Sequence, residues 1–144
     1  MKRTIFLSLP MKDREAKDIM NTIDKMKTVI RAMYPDDDLT FIDNFTCSVK
    51  VGDGLVNGSL LYLGEAIKKM AYCDHIARIC MWGLSKRYHG CEIEVNAADR
   101  YGLKFIDLND PSGEVFLPDI YKKIMEEQMD SQPKCECGDQ KVRG

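Results

Sequence analysis

No apolar run in this chain approaches the ~20 residues that a membrane-spanning helix requires, so a membrane is not an expected partner. There is no basic run and no basic aromatic stripe to neutralise a phosphate backbone, and the net charge is only −2, so a general nucleic-acid binder is excluded. Neither an internal repeat nor a linker interrupts the 144 residues. A single domain with one core is expected over residues 1–130, with 131–144 as a flexible tail. "MKRTIFLSLPMKD" starts basic, but its apolar run is short, is broken by Ser8 and Pro10, and lacks a small-residue cleavage site. It reads as a first strand rather than a signal peptide. Of six cysteines only Cys135 and Cys137 lie close together, in "PKCECGD", and the other half of a four-ligand zinc site is missing. No metal is therefore expected. Cys47, Cys73, Cys80 and Cys91 sit among apolar residues and read as buried free thiols of a reduced, cytoplasmic protein.

What is present is an alternation of two periodicities. "RTIFLSLP" suits a buried strand. From Asp13, a plausible N-cap, Ala16, Ile19, Met20, Ile23, Met26, Ile30 and Met33 recur at helical spacing until Pro35. "LTFID" reads as a second strand, and 43–58, with its glycine turn signals, as an irregular loop. Ser59 is placed to cap a second helix whose buried stripe is Leu63, Ala66, Ile67, Met70 and Ala71. "HIARICMW" is apolar on both faces, as in the middle of a parallel sheet. A polar loop, "GLSKRYHG", then leads to a helix over 91–101, a strand "LKFIDL" and a last amphipathic helix "PDIYKKIMEEQM". Strands alternating with helices predict a three-layer α/β domain with a mostly parallel sheet of four to five strands. Ligands of such sheets sit beyond the carboxyl ends of the strands, here the loops 8–14, 43–58, 82–92 and 107–117.

At about 100° per residue, the helix over 91–101 places Glu92 with Asn96, Asp99 and Arg100 on a solvent face. Glu94 falls with Ala97, Ala98 and Tyr101, near Ile93, on the face that should pack against the sheet. Burial would raise its pKa, while the helix N-terminus would favour the anion. A carboxylate held in a partly dry cleft is a usable nucleophile or base. The alternative, equally weighted by the pattern, is a capping glutamate reaching back to the amides near Gly90. Asp74 stands just before the third strand and reads either as a turn residue or as a second acid. Trp82, Ser85, Lys86, Arg87, His89 and Gly90 follow that strand and offer groups that could hold a phosphate or a ribose.

"LLYLGEAIKKMAYCDHIARICMW" followed by "GCEIEVNAADRYGLKFI", together with "FLSLPMKDRE", resembles the nucleoside 2-deoxyribosyltransferase-like family, in particular its small bacterial and phage members. The resemblance covers most of residues 1–108. It implies a flavodoxin-like fold and cleavage or transfer at the N-glycosidic bond of a 2-deoxynucleoside or its 5′-monophosphate, with no cofactor. It places the nucleophile at Glu94 and the sugar-orienting acid at Asp74. Ser8, Pro10, Met11, Lys12, Trp82, Ser85 and Gly90 become substrate-binding residues. A homodimer or higher homo-oligomer is implied. The first strand offers Phe6 where characterised relatives often have a tyrosine, which favours the alternative of a non-catalytic nucleotide-binding module using the same crevice.

Overall fold

The computed structural model describes residues 1–46, 54 and 57–131. The elements run β1 (Lys2–Ser8), α1 (Ala16–Met33), β2 (Asp38–Ile42), α2 (Gly58–Met70), β3 (His75–Cys80), α3 (Leu84–Arg87), α4 (His89–Arg100), β4 (Lys104–Asn109) and α5 (Pro118–Ser131). The four strands form one all-parallel sheet in the order β2-β1-β3-β4. This is the three-layer α/β architecture expected, in the strand order of flavodoxin-like sheets without their fifth strand among the described residues. Among those residues no helix is long and apolar enough to cross a membrane. Cys47, Cys135, Cys137 and the tail beyond 131 lie outside the described residues, as does much of the expected loop over 43–58.

Strand alternation divides the core. Ile5 and Leu7 of β1, with Ala77 and Ile79 of β3, face α1 and α5, where Ile19, Ile23, Met26, Ile30 and Ile120 close a large apolar layer. Phe6 and Ile76 face the other way and pack against Ala66 and Met70 of α2 and Ala98 of α4. The helix after β1 and the helix after β3 thus lie on opposite faces of the sheet. The connections diverge between the carboxyl ends of β1 and β3, and that divergence opens a crevice.

Several boundaries differ from the sequence reading. Helix α1 starts at Ala16, not Asp13. Asp13 has φ 60°, a left-handed conformation, whereas an N-cap residue lies in the extended region. Arg14 ties the preceding loop down by donating to the Pro10 carbonyl (2.6 Å) and to Asp18 (2.8 Å). The cap of α2 is Asn57, whose Oδ1 accepts from the Leu60 amide at 3.0 Å, and Ser59 lies inside the helix. Ile67 and Ala71, expected in its buried stripe, are exposed. The segment "GLSKRYHG" is not all loop: it contains the short turn of helix α3.

Candidate functional site

Ser8 ends β1, and its register partner on β3 is Arg78. Residues paired directly across parallel strands project to the same face, so both point toward the α2–α4 layer. Helix α4 crosses above them. Its buried residues are Glu94 and Ala98, one helical turn apart, so the period that seats the alanine against the sheet carries the carboxylate inward too. The Ser8 hydroxyl donates to Glu94 Oε1 at 2.7 Å. Glu94 therefore does not fold back on the start of its own helix as a capping residue, and no side chain caps α4 at Tyr88.

Two influences on the carboxylate oppose each other. Burial raises its pKa and the Ser8 hydrogen bond lowers it; burial wins, and the value is pushed up to about 7. The Cys91 thiol, one turn earlier, is pushed up to about 12, first by burial and then by the Glu94 charge. Ser8, Cys91 and Glu94 thus form a compact, poorly hydrated group at the end of β1.

Beside it runs a groove of about 310 Å³, lined by Ser8, Arg78 and Cys80 of the strands, Leu84 and Ser85 of α3, and Cys91, Glu92 and Asn96 of α4. Glu94 is not among the lining residues; Ser8, its hydrogen-bond partner, is. The carboxylate that does line the groove is Glu92, which is exposed as its place on the outer face of the helix requires.

The other expected site residues are dispersed. Lys12 lines a separate cleft of about 600 Å³ between the first loop, Tyr88 and α5, where Arg14, Arg87 and Lys123 are balanced by Asp13, Glu15, Asp18, Asp119 and Glu127. Pro10 is fully buried, and Met11 packs on the α1–α5 core. Trp82 is 80% exposed, so it is neither a core residue nor a groove wall. Gly90 lies exposed in the first turn of α4. Tyr101, expected on the inward face, is 85% exposed, and Ile93 is exposed as well.

Asp74 requires a correction. It stands at the amino end of β3, where its Oδ1 accepts from the Thr4 amide (3.0 Å) and from His75 Nδ1 (2.6 Å). Thr4 precedes Ser8 by four positions on β1, about 13 Å at the rise of a parallel strand. The two acids therefore occupy opposite edges of the sheet, with the packed side chains of Phe6 and Ile76 between them. Arg3 Nη1 lies 3.0 Å from His75 Nε2. Since a guanidinium can only donate, His75 accepts there and carries its proton on Nδ1, toward Asp74. Asp74, His75, Arg3 and Asp37 form one chain of bonds that ties down the amino edge of the sheet. The Asp74 carboxyl is held below its ordinary value, first by the His75 bond.

The sequence reading missed Arg78. Its Nε donates to Asp107 Oδ1 at 2.6 Å, the carboxylate opposite it on β4, and its guanidinium covers the Phe105 ring at 4.6 Å. A charged residue in the middle of a run read as apolar on both faces was the available signal, since such a residue needs a partner. No family model, curated protein or solved structure matches the chain.

Proposed function

We propose that the groove between β1, β3 and α4 binds a 2-deoxynucleoside or its 5′-monophosphate, and that Glu94 acts as nucleophile in cleavage or transfer at the N-glycosidic bond. The observation that carries this reading is the Ser8–Glu94 pair: a buried carboxylate at the crevice between β1 and β3, held by a hydroxyl that also lines the groove. In the first step a Glu94 oxygen bonds to C1′, the C1′–N bond breaks, and its electron pair leaves with the base, which takes a proton from solvent. In the second, the oxygen of water or the nitrogen of a second base bonds to C1′. The ester bond to Glu94 breaks, the carboxylate is restored, and the acceptor loses a proton. The reaction requires Glu94 to exchange its bond with Ser8 for contact with the sugar. Asp74 has no part in it.

The alternative reading is a nucleotide-binding module without turnover. It is favoured by the absence of Glu94 from the groove lining. Base release from deoxynucleosides and their 5′-monophosphates, followed by chromatography for wild type and Glu94→Gln, decides between them. Release by wild type and its loss in Glu94→Gln support the catalytic reading. Thermal stabilisation by a nucleotide without release supports the module, and equal release by the two proteins ends the nucleophile assignment.

A further inference from the structure

We infer that Arg78 is the specificity-determining residue of the groove, and that it reads paired acceptors on the base of a 6-oxopurine 2-deoxynucleoside. The inference rests on the proposed reading of the groove as a nucleoside site and names its substrate class.

An arginine carries five N–H donors in a rigid fork. In Arg78 the Nε–H is taken by Asp107, and beside it stands only the weak acceptor sulfur of Cys80. Among the described residues no other acceptor meets its terminal nitrogens. The ion pair on one side and the Phe105 ring beneath fix the plane of the guanidinium, so the fork is oriented before any ligand arrives.

Charge selects the kind of ligand. Among the described residues lining the groove Arg78 is the one cation, and Asp107 already balances it; Glu92 adds a negative charge. A phosphate at Arg78 would meet a guanidinium whose charge Asp107 already offsets. A neutral group presenting two acceptors meets no such penalty. The O6 and N7 edge of a 6-oxopurine is such a pair and matches an arginine fork, whereas a 6-aminopurine turns a donor toward it. Spacing agrees. Ser8 lies on β1, and the Arg78 guanidinium reaches over β4, two strand spacings away or about 9–10 Å. That suits a purine nucleoside with its sugar beside Ser8 and its six-membered ring at Arg78. The same contact would stabilise negative charge arriving on O6 and N7 as the base departs.

The test is calorimetric binding of 2′-deoxyinosine and 2′-deoxyadenosine to the full chain, which does not depend on turnover. Wild type is expected to bind deoxyinosine about tenfold or more tightly than deoxyadenosine. Arg78→Ala is expected to lose that preference by weakening deoxyinosine alone. Arg78→Lys keeps the ion pair to Asp107 but not the fork, and is expected to lose it too while remaining folded. Glu94→Gln should retain the preference, so inactivity of wild type would sink the nucleophile without touching Arg78. Equal affinities in wild type, a preference for deoxyadenosine, no binding of either nucleoside, or an unchanged preference in both Arg78 variants would overturn the inference.

Discussion

Glu94 holds its proton to a pH at which an exposed glutamate has lost it. Its pKa rises from 4.5 to about 7 on folding, so the folded chain binds the proton more tightly than the unfolded chain. That contribution to stability is complete below pH 4.5 and is lost as pH climbs through 7. The full difference is about 3 kcal/mol at 1.36 kcal/mol per pKa unit. Glu94→Gln keeps an acceptor for Ser8 and cannot ionise. Its stability relative to wild type should therefore improve by up to about 3 kcal/mol between pH 5 and pH 9. Urea unfolding at the two pH values checks this, and parallel stability–pH curves for the two proteins would contradict it. Ser8→Ala removes a hydrogen bond that favours the anion, so the Glu94 midpoint should move above 7, as read by carboxyl-carbon NMR. A midpoint that stays put or falls would mean that Ser8 does not hold the charged form. The inward direction of Glu94 was legible because a helix period needs no knowledge of the rest of the fold. The bond from Ser8 was not, because it joins residues far apart in sequence.

Elements explain where the sequence reading of Asp74 failed. In a parallel sheet, a residue that precedes a strand and a residue that follows one lie at opposite edges, whichever strands they flank. Ser8 ends β1 and Asp74 leads into β3, so element order alone was enough to separate them. Arg78 was hidden for a different reason. Its partner Asp107 is set by the register of β3 against β4, which a strand-by-strand reading does not supply. Asp74→Ala should cost about 1–2 kcal/mol, because the Thr4 amide and His75 both lose their acceptor. Nucleoside affinity should be unchanged. Denaturant unfolding and calorimetry separate the two effects, and loss of binding without loss of stability would return Asp74 to the site. Asn57→Ala, which uncaps α2, should cost about 1 kcal/mol by the same unfolding measurement. No change there would show that the cap bond contributes nothing.

Over the whole molecule the two sides of the sheet are unequal. Among the described residues the α1–α5 layer holds fifteen buried apolar residues and the α2–α4 layer five. Hydrophobic stabilisation follows buried apolar area, so the fold rests mainly on the side away from the groove. Ile23, fully buried in α1, should cost about 2–5 kcal/mol when cut to alanine, and the loss should be global. Val95 is only partly buried in the thin layer, and the same truncation there should cost less. Opening should follow the same order. Amide hydrogen exchange is expected to show α4 exchanging through partial openings at lower free energy than α1 or β1, with α1 and β1 exchanging near the global limit. Equal protection of α4 and α1 would refute this ordering. If the ordering holds, the helix that carries Glu94 is the element the domain can move at least cost. The carboxylate could then leave Ser8 for the groove while β1, β3 and the Arg78–Asp107 pair stay in place.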